Sequence, residues 1–146
     1  MILVDSSVWI DFFRGARTPQ AEKLDVLLGT TRIAVGDLIL AEVLQGVRDE
    51  REFQQVRKTL DSFEQVDLVG REIAVQAAKN FRKLRDLGLT VRKTIDTLIA
   101  TRCIESNYTL LHSDRDFDAF EVHLGLQVVA SSGIRHERRA KGRAGL

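Results

Sequence analysis

This chain has little of what staples or punctuates a fold. It holds one cysteine, Cys103, and one proline, Pro19, in 146 residues. A lone thiol excludes an internal disulfide, so stability must come from a packed core, and a reducing cytoplasm is the expected setting. No apolar run approaches the length of a bilayer span. The apolar start Ile2-Leu3-Val4 is cut short by Asp5 and lacks a basic flank, which excludes a secretory signal and predicts no membrane association. Phosphate-cradling glycine loops are missing too, since Gly29, Gly36 and Gly46 stand isolated. The three histidines, His112, His123 and His136, do not make a metal-ligand spacing, and each reads as a structural or surface residue.

What is present is ordinary in amount and uneven in placement. Apolar residues at 44% and charged residues at 29% describe a globular chain that can bury one domain's core. The net charge of +1 conceals a basic C-terminal segment, 135–146, with Arg135, Arg138, Arg139, Lys141 and Arg143 against Glu137. That segment is expected to be a flexible tail beyond a domain spanning 1–134. A second basic stretch, Lys79 to Lys93, carries six cations against Asp86. It fits a solvated helix face and a polyanion contact equally well.

Short apolar strands alternate with helices. Strands are expected at 2–5, 32–35, 65–69, 109–111 and 127–130, with helices at 7–14, 19–28, 37–44, 50–63, 71–87 and from Thr94 onward. A turn or short helix fills 114–123. Thr18-Pro19 has the pattern of a cap followed by a first-turn proline. In the 71–87 helix, Ile73, Ala77, Phe81 and Leu84 form the expected buried face. This alternation predicts a parallel α/β sheet with helices on both faces, whose site lies outside the carboxyl ends of the strands.

Four carboxylates are locally out of character. Asp5 ends the first strand, Glu42 interrupts Leu38-Ile39-Leu40-Ala41-Glu42-Val43-Leu44, Asp96 sits between Ile95 and Leu98-Ile99-Ala100, and Asp114 follows Thr109-Leu110-Leu111. Each has a bland reading: Asp5 as a helix cap, Asp96 as a helix-dipole partner, Asp114 as a turn former, Glu42 as an exposed flank. Together at strand ends they fit a site for a hard divalent cation, Mg²⁺ or Mn²⁺, which takes oxygen ligands and is suited to phosphodiester hydrolysis. Ser6, Ser7 and Ser113 have no nucleophile elbow around them and read as hydrogen-bond partners of these carboxylates. Asp114 to Asp118 begins like a calcium loop, but Ala119 replaces the required glycine. A phosphatase with Asp5 as nucleophile would need a second aspartate where Ser7 stands.

The blocks that carry these acids resemble those of PIN domains, and specifically of the VapC toxins of toxin–antitoxin pairs. The resemblance runs through Val4-Asp5-Ser6-Ser7-Val8-Trp9-Ile10-Asp11, Glu42 in its apolar helix, Thr94-Ile95-Asp96-Thr97-Leu98-Ile99-Ala100, and Leu110-Leu111-His112-Ser113-Asp114-Arg115-Asp116-Phe117. It covers roughly residues 1–130, with Ser6 and Ser113 where threonine is common. It implies a three-layer α/β/α sandwich around a short parallel sheet, usually a homodimer. It further implies an Mg²⁺- or Mn²⁺-dependent endoribonuclease that cuts tRNA or rRNA to stop translation and is neutralised by a VapB antitoxin. Asp5, Glu42, Asp96 and Asp114 are the implied metal-binding and catalytic residues, with Ser7, Ser113 and Asp116 around them. The rival expectation is a PIN-like module that binds nucleic acid or a partner without catalysis.

Overall fold

A computed structural model of the chain describes residues 1–130; the expected basic tail, 135–146, lies outside the described residues. Five strands form one parallel sheet: β1 (Ile2–Val4), β2 (Ile33–Gly36), β3 (Glu64–Val66), β4 (Thr109–Leu111) and β5 (Gln127–Val128), in the order β3-β2-β1-β4-β5. The chain starts at the centre, moves outward through β2 to β3, then returns to the other side of β1 for β4 and β5. Parallel crossovers are right-handed, so this reversal sends the two sets of connecting helices to opposite faces. Helices α2 (Pro19–Leu27) and α3 (Asp37–Gln45) both pack on α1 (Ser6–Arg14), and α4 (Glu50–Asp61) packs on α3, while α5 (Arg71–Asp86) packs on α6 (Thr94–Ser106) and α7 (Asp118–Leu124). The result is the three-layer α/β/α arrangement.

Burial explains why the strands are so uniformly apolar. Leu3, Val4, Ala34, Val35, Leu110 and Leu111 are fully enclosed, as expected of a sheet covered on both faces. On the α1 side Trp9 is fully buried, stacked on Phe13 at 5.8 Å and tilted against Phe63 at 5.4 Å. Gly36 joins β2 to α3 where a Cβ would overlap the fully buried Leu68 side chain and force it to move. The next residue, Asp37, fastens the same corner by accepting from Leu38 N at 2.9 Å and Leu68 N at 3.0 Å.

Some local expectations are corrected. Phe81 is an exposed edge of α5, with the Arg85 guanidinium 6.0 Å from its ring centroid, and Asn80 takes the interior position instead. Asn80 Nδ2 donates to Thr101 Oγ1 at 3.0 Å, and its Oδ1 accepts from Gln76 Nε2 at 3.0 Å. A polar residue enters the α5–α6 contact because both ends of its amide are satisfied. Helix α6 begins at Thr94 as expected, with Lys93 at its cap position. Thr18 caps α2 as expected, accepting from Ala21 N at 3.1 Å.

Candidate active site

The reversal in strand order falls between β1 and β4, and this is where the acids gather. Val4 pairs with Leu111, and Asp5 N donates to Leu111 O at 2.9 Å, so the residues that follow the two strands leave the sheet side by side. A crevice at such a switch point is the usual ligand position in parallel sheets. From β1 comes Asp5; from the β4 exit come His112, Ser113 and Asp114. Helix α6 adds Asp96 in its first turn, and α3 adds Glu42.

Asp5 caps α1 with its backbone only. Its side chain makes no capping bond and instead accepts from Ser7 Oγ at 2.8 Å. Ser113 Oγ donates to Ser7 Oγ at 3.1 Å, so a hydroxyl chain runs from the β4 exit to Asp5. Ser6 Oγ donates to Glu42 Oε1 at 3.3 Å. Asp114 accepts from Asp116 N at 2.9 Å through Oδ1, which closes the single 3-10 turn Arg115–Phe117. Its own N–H donates to His112 Nδ1 at 3.2 Å, which makes that nitrogen the unprotonated one.

Asp96, Asp114 and Asp116 each present a carboxylate oxygen, and the three atoms lie within 4.8 Å of one another. An octahedral Mg²⁺ at about 2.1 Å from its ligands holds their oxygens roughly 3–4 Å apart, so a small inward closure suffices. Asp96 Oδ2 and Asp116 Oδ2 are buried without a hydrogen-bond partner. Such orphaned carboxylate oxygens are costly unless a cation or proton compensates them, and an all-oxygen donor set suits a hard divalent ion. Asp116, set at the margin by sequence, is thus inside the tight triangle. Asp5 and Glu42 are not in it but flank it.

Electrostatics tie these groups together. Burial, and then the charges of Asp5 and Asp114, push the Asp96 carboxyl up to about 6. Asp5 is raised by burial, with the Ser7 hydroxyl opposing. Glu42 is raised by burial and by Asp5. Burial lowers His112. A pocket that resists its own ionisation is a mark of functional sites, because ordinary folding would not assemble it.

A PIN domain family model matches residues 2–122. The chain belongs to the PIN domain family. It is 30% identical over 132 residues to VapC ribonuclease Mb1587 of Mycobacterium bovis, which spans 89% of this chain and 98% of that protein. The same figures hold for ribonuclease VapC11 of Mycobacterium tuberculosis. In solved structures the fold is similar to VapBC2 of Rickettsia felis bound to a promoter DNA fragment, with TM-score 0.67, 21% identity, and 88% and 98% of the two chains covered. DNA-bound VapBC of Salmonella typhimurium matches with TM-score 0.67, 17% identity, and 90% and 98% coverage. Among the described residues of this PIN domain, no helix is long and apolar enough to cross a membrane.

Two cations of the basic stretch 79–93, which the sequence reading leaves between a solvated face and a polyanion contact, stand beside the site. Arg92 Nη2 lies 3.4 Å from Asp116 Oδ1, and the Lys93 charge opposes part of the upward shift of both Glu42 and Asp96. Both belong to the basic stretch 79–93, but helical periodicity says nothing about a loop. The available signal was their position just ahead of the helix that bears Asp96.

Proposed function

We propose that this PIN domain is the toxin of a type II toxin–antitoxin pair, a metal-dependent endoribonuclease acting in the cytoplasm. The observation that carries this reading is the Asp96–Asp114–Asp116 triangle at the sheet's switch point, with two buried carboxylate oxygens lacking partners. The likeness to curated VapC ribonucleases over nearly the whole chain supports RNA as the substrate.

Asp96, Asp114 and Asp116 would hold Mg²⁺ or Mn²⁺, with Asp5 and Glu42 completing the acidic wall as ligands or as water-orienting groups. The bound ion supplies an acidified water and charge stabilisation at the scissile phosphate. The chain's own part is to hold these carboxylates ready: Ser7 fixes the Asp5 rotamer, Ser6 steadies Glu42, and the 3-10 turn aligns Asp114. His112 keeps the Asp114 backbone in place through its unprotonated Nδ1.

A VapB-type antitoxin is the proposed partner, and a homodimer the proposed assembly. A groove of about 520 Å³ between α1, α3 and α4, with Phe13 and Val47 among its apolar lining and Arg14, Arg48, Asp49 and Glu52 among its charged lining, offers a seat of mixed character for the partner. The acidic pocket suits a basic antitoxin side chain in place of metal.

Induced expression followed by sequencing of new RNA 5′ ends tests the reading. A discrete cut in a tRNA or rRNA, with growth arrest relieved by co-expression of the adjacent small reading frame, is expected. Arrest with intact tRNA and rRNA would overturn it.

A further inference from the structure

The five carboxylates Asp5, Glu42, Asp96, Asp114 and Asp116 repel the polyanion they are proposed to cut. A cation reaching the pocket from outside must therefore meet the phosphates beside the reacting one. Among the described residues, Arg92 is the one basic side chain in an ion pair with the acidic triangle, at 3.4 Å from Asp116 Oδ1. Its side chain is 76% exposed, while that of Asp116 is only 12% exposed, so the guanidinium stands at the mouth with one edge inward and the rest toward solvent.

The loop that delivers it is held. Between α5 and α6, Leu89 packs against the core and Val91 is buried, whereas Thr90, Arg92 and Lys93 are exposed. The alternation pins the backbone on one side and turns Arg92 outward on the other. Its contact with Asp116 is a single long one, not a bidentate fork, and solvent-exposed pairs of this kind are weak. A guanidinium so loosely held can exchange a carboxylate for a phosphate, whose geometry it matches in a bidentate manner.

We infer that Arg92 is a positioning residue for RNA, gripping a phosphate next to the scissile one and leaving Asp116 when the pocket is loaded. The inference rests on the ribonuclease reading for its ligand. In the metal-free chain the same side chain partly neutralises Asp116 and so competes with the cation.

The test compares Arg92→Ala and Arg92→Lys with the wild-type chain in three measurements. Mn²⁺ binding is measured by calorimetry without RNA. Binding of a fluorescein-labelled single-stranded RNA in Mn²⁺ is followed by anisotropy across a salt series, and cleavage of the same RNA is split into kcat and KM. Arg92→Ala should weaken RNA binding roughly tenfold, the scale of one charge-assisted hydrogen bond. It should also reduce the slope of log affinity against log salt by about 0.7, one phosphate's worth on a single strand. KM should rise with kcat little changed, Arg92→Lys should recover part of the loss, and Mn²⁺ affinity should stay equal or increase. A loss of Mn²⁺ affinity in Arg92→Ala would make Arg92 a brace for Asp116 and overturn the inference, as would unchanged RNA affinity and salt slope. A wild-type chain that binds RNA but never cuts it would sink the ribonuclease reading, and with the Arg92→Ala loss of affinity and salt slope intact would leave Arg92 as an RNA phosphate contact with no scissile phosphate beside it. A chain that cuts RNA equally well with arginine or alanine at 92 would overturn the Arg92 assignment and leave the ribonuclease reading standing.

Discussion

Ser7 Oγ donates to Asp5 Oδ2 at 2.8 Å, so the carboxylate of the residue whose backbone caps α1 is held by a hydroxyl and makes no capping bond of its own. The carboxylate is buried and its pKa raised, so this bond offsets part of the penalty for keeping it charged. Ser7→Ala should therefore raise the Asp5 pKa further. The acid limb of the pH–activity profile should move upward, with a larger loss at pH 6 than at pH 8. Ser7→Thr, which keeps the hydroxyl, should restore the profile. An unshifted acid limb in Ser7→Ala would remove Ser7 from the account.

The raised Asp96 makes a stability prediction of definite sign. Its carboxyl titrates near 6 in the fold against 3.8 in a free chain, so the folded state binds more protons in between. The stability this gives is fully present below about pH 4 and is lost as pH rises through 6. At pH 7.5 in chelator, Asp96→Asn should melt about 3–6 °C above wild type, since it removes one of several crowded charges. The gap should close toward pH 4.5. If the variant melts lower at both pH values, Asp96 is a structural helix residue.

Added Mg²⁺ or Mn²⁺ should reverse that order. Binding to the folded state alone stabilises it by mass action, about 2.7 kcal/mol at a hundred times Kd, and only the wild type has the full triangle. Differential scanning calorimetry at pH 7.5 should show the wild-type midpoint rising with the ion and that of Asp96→Asn rising much less. The effect should fade below pH 6, where protons hold Asp96. Equal shifts in both proteins would place the ion elsewhere.

Water should be the nucleophile. Among the described residues His112 is the histidine at the pocket, half-buried, with its pKa lowered by desolvation and Nδ1 engaged by the Asp114 amide. No histidine pair among the described residues is placed to drive attack by the ribose hydroxyl. Products should carry 5′-phosphate and 3′-hydroxyl ends, and an RNA with one 2′-deoxy sugar at the cut should still be cleaved. A 2′,3′-cyclic phosphate in the product mass spectrum would contradict this.

The sheet and its strand ends were legible because parallel strands covered on both faces must be apolar runs, and helices between them leave period and cap signals. The convergence of Asp5 with Asp114 follows from the β1–β4 pairing, which strand order alone can give and sequence spacing cannot. Phe81 misled because α5 hides a satisfied amide, Asn80, in its contact with α6, and apolar periodicity cannot anticipate a polar pair such as Asn80–Thr101. Asp116 and Arg92 were undervalued for a related reason. One is placed by a 3-10 turn and the other by an anchored loop, and neither has a repeating pattern.

The central claim is that the Asp96–Asp114–Asp116 triangle holds the ion on which RNA cleavage depends. Its most direct test is a Mn²⁺ titration of RNA cleavage and Mn²⁺ occupancy on the same samples of wild type and Asp96→Asn, with folding verified by circular dichroism. In the wild type, cleavage should be absent in chelator and rise in step with occupancy, while folded Asp96→Asn should lose both tight Mn²⁺ binding and at least a hundredfold in rate, about 2.7 kcal/mol of barrier. Cleavage at the wild-type rate by folded Asp96→Asn, or by the wild type in chelator, would contradict the claim.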